Sequence, residues 1–182
     1  MKTNSKKIGN NFERTMSVRL SSWLTGDEKN LVVWRDVSSG KLSTVRKNKG
    51  LQTENQSGDF RFYDFTYKNF FHNFHCDAKS LGNVNLMLIN SKNQKSNQVI
   101  NEWAKVKSDA GTKIPMMFVK ARNDKKIPDF IMMSSHIIFL YENMIVYDIG
   151  NESISLILQD EFFELNDWKI FTENNKITEI IK

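Results

Sequence analysis

The chain has 182 residues, and 40% of them are hydrophobic, including 13 Phe and 4 Trp. This content is enough for a folded core and excludes a disordered protein, while no apolar run approaches the ~18 residues of a membrane span. The net charge of +5 is compatible with a polyanionic partner, and one cysteine cannot form an internal disulfide. The N-terminal segment has lysines but no apolar stretch of a secretory signal, so we expect a cytoplasmic protein.

The first third of the chain has a helical pattern followed by extended segments. Across residues 7–24, apolar side chains recur at spacings of three and four, which predicts an amphipathic helix. Residues 31–35 are rich in β-formers and predict a short strand. Residues 36–57 are polar and predict a long loop, and loops of this length are often functional.

Two aromatic-rich segments follow this loop. Residues 59–65 alternate between aromatic and polar side chains and predict a strand, residues 66–69 predict a turn, and residues 70–80 predict a longer strand. Together these segments predict a β-hairpin.

The second half of the chain returns to helix and then to strands. Residues 98–110 carry Val99, Trp103 and Val106 on one stripe, with Gly111 as the helix stop. The remaining predicted elements are a buried strand at 115–120, a turn at 123–126, a hairpin of 137–141 with 144–147, a strand at 153–158, and a tail from about 174 that is either a frayed helix or disordered. This order predicts an α/β fold with a mixed central sheet flanked by helices.

Strand geometry provides a first test of the polar residues. Because side chains two positions apart share a face, His75, Asp77 and Lys79 point one way. The smaller and apolar side chains between them point the other way. Asp59 approaches Asp77 only if the register of the hairpin permits it, and the sequence leaves that register open.

Helical geometry provides a second test. At about 100° per residue, Glu13 falls inside the buried margin of the first helix, where a carboxylate needs a partner, a metal or a hydrogen bond. The alternative is a Glu13 side chain that reaches solvent at the helix edge. Arg14 lies well off the apolar stripe and is free to face solvent or a phosphate.

An acidic residue, a hairpin and an acid-x-lysine strand can together hold Mg²⁺ beside a scissile phosphate. A metal held by carboxylates neutralises charge and activates water, so this pattern indicates a nuclease. The alternative for each part is ordinary: Gly-Asp is common in turns, and Asp-x-Lys is common on edge strands. Basic residues are concentrated between residues 35 and 49, which indicates either a surface that binds the DNA backbone or an ordinary solvated surface. These cations are Arg35, Lys41, Arg46, Lys47 and Lys49.

Other chemistries fit the sequence less well. His72, His75, Cys76 and Asp77 cluster like a zinc site, but strand parity puts Cys76 opposite its neighbours, so the ligands converge poorly. A nucleophilic Cys76 would point at the core for the same reason. The sequence has no serine nucleophile elbow, P-loop or dinucleotide fingerprint.

The motifs, in this order, resemble the PD-(D/E)xK nuclease superfamily, which has the restriction-endonuclease-like fold. Within it, residues 9–14 (GNNFER) resemble the G-x-x-F-E-R opening of phage and archaeal Holliday-junction-resolvase-like proteins, and residues 33–40 resemble their tryptophan-arginine and serine-glycine stretch. Gly58-Asp59 matches the acid that opens the motif, and residues 77–79 match the (D/E)-x-K element. The resemblance covers about residues 7–122.

The resemblance implies a fold and an activity. It implies an αβββαβ nuclease core at residues 1–122, with residues 123–182 as a β-rich C-terminal extension of the same domain. Asp59 and Asp77 would hold Mg²⁺ or Mn²⁺ and Glu13 would complete the acidic cluster, while Lys79 would orient water or stabilise the phosphate. Arg14 would contact a phosphate.

We therefore expect a Mg²⁺-dependent endodeoxyribonuclease that is selective for DNA structure, as a Holliday junction resolvase is. The resemblance also implies branched DNA as partner, a homodimer for symmetrical cutting, no membrane, and a phage-encoded protein acting in the host cytoplasm. The alternatives are a nuclease of this fold that acts on linear or flap DNA in phage replication or host-DNA breakdown, or a non-catalytic DNA-binding or partner-binding protein.

Overall fold

The computed structural model describes residues 5–36, 56–62, 64–89, 97–134, 144–149 and 152–167. The helices in these residues are α1 (Ser5–Thr25), α2 (Lys68–Asn73), α3 (Gln98–Ala110) and α4 (Gln159–Leu165). The strands are β1 (Val33–Arg35), β2 (Gln56–Ser57), β3 (Phe60–Phe62), β4 (Phe74–Leu81), β5 (Ile114–Ala121), β6 (Phe130–Ser134), β7 (Met144–Ile149) and β8 (Glu152–Leu158). No helix in these ranges is both long enough and apolar enough to cross a membrane.

The strands form a mixed five-stranded sheet and a smaller three-stranded sheet. The large sheet has the order β4-β5-β6-β8-β7, in which β4 and β5 are parallel and the other pairs are antiparallel. The parallel pair needs a crossover connection, and α3 lies in it. The small sheet has the order β1-β3-β2 and is antiparallel. The expected α/β fold with a mixed sheet is confirmed.

Helices cover both faces of the large sheet. Adjacent residues of β5 divide between two cores: Met116 packs with α1 and α4, and Met117 packs with α3. This division follows from the two-residue repeat of a strand, since a strand buried on both faces needs apolar residues at every position. The apolar runs of β5 and β6 meet this requirement.

Helix α1 follows the predicted pattern closely. Phe12, Met16 and Leu20 are all buried against the sheet, and Gly26, with φ of +70°, ends the helix in the left-handed conformation that glycine adopts readily. The hydroxyl of Ser21 ties this helix to the entry of β1, because it accepts hydrogen bonds from the backbone N–H groups of Val32 and Val33.

The predicted hairpin of residues 59–65 with 70–80 is wrong. Residues 65–67 form a 3₁₀ turn and α2 follows, so the second strand begins at Phe74 and not at Phe70. β3 and β4 also belong to different sheets. Aromatic residues have high β-propensity, which favours a strand, but the spacing of Phe70, Phe71 and Phe74 also fits one face of a helix turn. The helix is formed because it buries all three side chains in one core.

Other differences lie towards the C-terminus. The sequence patterns did not predict β6 or α4, although the structure contains both. Strand β6 is a short apolar run, in which Met132 and Met133 pack into opposite cores. The predicted strand at residues 137–141, the tail from about residue 174 and most of the predicted loop at residues 36–57 lie outside the described residues.

Ser21→Ala is expected to lower the free energy of unfolding by about 2–4 kcal/mol, because it leaves two buried N–H groups without their acceptor. Ser17→Ala on the same helix is the matched control. Ser17 is also buried, but its hydroxyl only donates to the Glu13 carbonyl of the preceding turn, so its loss should cost less than about 1 kcal/mol. Urea unfolding measures both, and equal losses would contradict the role given to Ser21.

Candidate functional site

A glycine allows the turn between β2 and β3 to approach β4. Gly58 has φ of +65°, and a side chain at this position would collide with the carbonyl oxygen of Cys76 and the carboxylate of Asp77. Both the backbone conformation and the closeness of β4 therefore require glycine here. The turn lies against the outer edge of β4 as a result.

Asp59 closes the edge of β4 that faces away from β5. Its N–H donates to the Cys76 carbonyl over 3.0 Å, and its carboxylate oxygen Oδ2 accepts from the Ala78 N–H over 3.0 Å. Its own carbonyl accepts from the Asp36 N–H over 2.7 Å. β4 is an edge strand of the large sheet, so these bonds satisfy backbone groups that the sheet leaves unpaired. Asp59 thus reaches Asp77 by this edge contact and not by a hairpin register.

Lys79 lies between two carboxylates. Its Nζ is 3.3 Å from Asp59 Oδ2 and 3.1 Å from Asp77 Oδ2. The side chains of Asp59 and Asp77 are only 12% and 9% exposed, and that of Lys79 is 24% exposed. Asp77 and Lys79 share a face of β4, as strand parity predicts. We call Asp59, Asp77 and Lys79 the acidic triplet.

The acidic triplet has unusual electrostatics. Burial raises the pKa of Asp59, the charge of Asp77 raises it further, and Lys79 and the Ala78 N–H offset part of this rise. Burial acts to lower the pKa of Lys79, but the two carboxylates outweigh it and hold that pKa above its ordinary value. Lys79 is therefore a persistent cation. Two carboxyl groups share this one ammonium group in a poorly solvated site, an arrangement that a second cation would stabilise.

His75 lies beside the triplet as a neutral ring. Its Nε2 is buried 3.7 Å from Asp77 Oδ1, beyond hydrogen-bond distance. Burial and the charge of Lys113 lower the pKa of His75 to about 4. His75 is therefore uncharged at neutral pH and adds no cation to the site.

The arrangement around Cys76 does not favour zinc or thiol chemistry. Its thiol lies 4.0 Å from the Met116 sulfur in the core shared with α1, on the face opposite His75 and Asp77. Burial raises the pKa of this thiol, which disfavours the thiolate that a metal ligand or a nucleophile needs. Across the described ranges, no group of three His, Cys, Asp or Glu side chains is arranged to hold a metal.

Glu13 and Arg35, two further predicted site residues, bind each other. The Glu13 carboxylate accepts from Nε of Arg35, both side chains are 16% exposed, and Nη2 of Arg35 also donates to Asn10 Oδ1 over 2.8 Å. Within the described part of the chain, the ion-pair partner of Glu13 is therefore Arg35, which ties α1 to β1. The structure does not bring Glu13 into the ion pairs of the acidic triplet.

The remaining predicted DNA-binding residues divide into two groups. Arg14 is exposed on α1, as the helical wheel predicts. Lys41, Arg46, Lys47 and Lys49 lie outside the described residues.

Asp36 is a buried acid that the sequence analysis did not identify. Asp36 is 1% exposed, and its carboxylate lies 3.1 Å from Nε of Arg61 on the neighbouring strand. No local pattern marks this pair, because the two residues come together only when β1 pairs with β3. The Gly-Asp dipeptide weakly indicates a turn at Gly58, but no sequence pattern indicates its contact with β4.

No protein-family model, curated protein or solved structure matches the chain. The motif residues and the geometry of the acidic triplet are therefore the features that point to a function.

Gly58→Ala is expected to lower the free energy of unfolding by at least about 3 kcal/mol, because the added methyl group meets the backbone of β4. Gly26→Ala is the matched control: Gly26 also has a positive φ, but nothing lies within 4 Å of the added atom. It should cost only about 1 kcal/mol for backbone conformation. Similar losses in urea unfolding would show that closeness to β4 is unimportant.

Lys79→Met is expected to destabilise the metal-free protein by about 3 kcal/mol at pH 7, because it leaves two buried carboxylates without their cation. The pKa of Asp59 is already raised and should rise further without Lys79, so the penalty applies when Asp59 is ionised and shrinks as falling pH protonates it. Lys107→Met, which breaks the more exposed pair with Glu152, should cost less than about 1 kcal/mol. Urea unfolding in EDTA at pH 7 and pH 4.5 tests this, and a pH-independent penalty would contradict it.

Proposed function

We propose that the protein is a divalent-metal-dependent endodeoxyribonuclease of the PD-(D/E)xK type that hydrolyses DNA at the acidic triplet. The observation that carries the proposal is the convergence of two buried carboxylates on one lysine. Asp59 lies in the turn before β3, and Asp77 lies on β4. Gly58 allows this turn to contact β4, because a larger residue would collide with that strand.

The donor set of the triplet fits Mg²⁺ or Mn²⁺. These hard cations take oxygen ligands, and Mg²⁺ in particular is bound by one or two carboxylates while water and substrate phosphate supply the remaining oxygens. Asp59 and Asp77 provide two carboxylates, and burial together with the neighbouring Asp77 raises the pKa of Asp59, so a cation beside it would stabilise its ionised form. A third protein ligand is not required for such a site.

Each residue of the triplet then has a role in hydrolysis. Asp59 and Asp77 would hold the cation, which when bound would lower the pKa of water and neutralise phosphate charge. Lys79 stays protonated, so it stabilises negative charge on the phosphate and does not act as the base. Water bonds to phosphorus and loses a proton, the bond to the leaving oxygen breaks, and that oxygen gains a proton.

The order of elements supports the proposed fold family. In chain order, α1 is followed by β1, β2 and β3 of the small sheet, then by α2, β4, α3 and the parallel strand β5, which is the αβββαβ order with one more strand and the short helix α2 inserted. Asp59 precedes β3, and Asp77 and Lys79 lie on β4 as expected, but a contact between two sheets brings Asp59 to β4 in place of the expected hairpin. Residues 123–182 contribute β6, β7 and β8 to the same sheet.

Substrate binding in this proposal is mainly electrostatic. Arg14 is exposed on α1, and the cations of residues 41–49 would contact the sugar-phosphate backbone. Such contacts depend on salt and not on base sequence, so DNA structure would select the substrate. A branched substrate such as a four-way junction, cut symmetrically by a homodimer, is the form that the resemblance favours.

Asp77→Asn is expected to reduce Mg²⁺-dependent cleavage at least ~100-fold while leaving DNA binding within about threefold, because it removes a metal ligand and not a DNA contact. Labelled four-way junction, flap, linear duplex and single-stranded DNA, each incubated with Mg²⁺ or with EDTA, provide the assay. Asp129→Asn, which alters an acid paired with Lys120 on the surface, is the control and should cleave normally.

Two results would contradict the proposal at different levels. Cleavage that survives Asp77→Asn or EDTA would reject the triplet as the active site. Equal cleavage of linear duplex and junction would leave the nuclease activity standing but reject selectivity for branched DNA.

A further inference from the structure

The small sheet has a buried face and an exposed face. Val33, Phe60 and Phe62 are buried in the core that contains α1. Trp34 and Arg61 are direct partners across β1 and β3, and directly opposed side chains of an antiparallel pair lie on one face. Because neighbouring residues alternate, this is the face that points away from α1.

This exposed face continues the surface of the acidic triplet. On β4, Cys76 and Ala78 point into the core that also holds the buried face of the small sheet. Asp77 and Lys79 alternate with them and so point to the opposite side of β4. The Asp59 side chain contacts Lys79 on that side, and the alternation of β3 puts Asp59 and Arg61 on one face, opposite the buried Phe60. Asp59 joins the two sheets, and Arg61 follows it by two residues, or ~7 Å of strand.

Trp34 is exposed in an unusual setting. The residue is 41% exposed, although tryptophan is highly buried on average. Opposite it, Arg61 is held through Nε by the buried Asp36, and its side chain remains 38% exposed. A flat aromatic ring next to an anchored guanidinium is the combination with which proteins bind unpaired nucleotides, the ring stacking on a base and the cation attracting phosphate.

We propose that Trp34 stacks on an unpaired nucleobase of DNA whose backbone crosses the acidic triplet, with Arg61 contacting an adjacent phosphate. This inference rests on the proposed nuclease function and narrows its substrate class. Bases inside a continuous duplex are already stacked on each other and present only their edges to a groove. A base at a fork, flap or open junction has a free face, so DNA with unpaired nucleotides beside the scissile phosphate is the preferred substrate.

Nucleic acid fits this face better than a protein segment does. Among the described residues, this face combines the ring of Trp34, the guanidinium of Arg61 and the proposed metal site, and the chain as a whole carries +5. An apolar protein partner would need a larger continuous patch.

The experiment measures DNA binding in EDTA, where cleavage is off, with a 15-nucleotide oligo-dT and a 15-base-pair duplex as probes. Trp34→Ala is expected to weaken binding of the oligo-dT about 5- to 100-fold and to change duplex binding less than about twofold. Trp34→Phe keeps a ring and should bind the oligo-dT within about threefold of wild type. Val18→Ala, which alters an equally exposed residue on α1, is the control.

Tryptophan fluorescence provides a second readout. Stacking on Trp34 should quench the emission of the wild-type protein when oligo-dT binds, and Trp34→Phe should lose this quenching while keeping its affinity. Unchanged oligo-dT affinity of Trp34→Ala, or equal weakening for oligo-dT and duplex, would overturn the inference while Mg²⁺-dependent cleavage by the wild type keeps the proposed function. A wild-type protein that neither binds nor cuts any DNA would overturn both.

Discussion

The contact of the Gly58-Asp59 turn with the open edge of β4 is the constraint on which the site depends. An edge strand has unpaired N–H and C=O groups, and Asp59 satisfies two of them with its backbone N–H and its side chain. The same carboxylate oxygen that accepts from the Ala78 N–H also contacts Lys79. The bonds that close the sheet edge therefore also aim the carboxylate, and its position is fixed by backbone geometry and not by a flexible side chain.

This placement carries an electrostatic cost. Burial in a poorly solvated site raises the pKa of Asp59, and the neighbouring Asp77 raises it further. Lys79 offsets part of this rise, so one cation serves two carboxyl groups in a site with little water. Such an electrostatic cost is reasonable at a site where a bound ligand relieves it. If Asp59 only satisfied backbone groups at the edge of β4, an uncharged side chain such as asparagine would serve as well.

The sequence predicts the parts of this structure that depend on local periodicity. α1, α3, β5 and β8 all appear within a few residues of their predicted bounds, and the shared face of Asp77 and Lys79 follows from strand alternation alone. α2 was not predicted, because its aromatic residues fit both a strand and a helix turn, and only their joint burial separates the two. The approach of Asp59 to β4 was not predictable either, because it depends on two sheets meeting at an edge.

Glu13 also shows that a local sequence pattern does not identify a tertiary partner. The helical wheel correctly indicates a carboxylate at a buried margin that needs a partner, but the wheel cannot distinguish a metal from a cation on another element. Pairing of β1 with β3 directs Arg35 towards α1 and Trp34 away from it, and this single alternation decides both positions. It supplies Glu13 with its partner and leaves the aromatic ring on the side of the acidic triplet. The opposite side of β4 is filled by the aromatic core, so among the described residues the acidic triplet lies on the face of β4 that is turned away from α1.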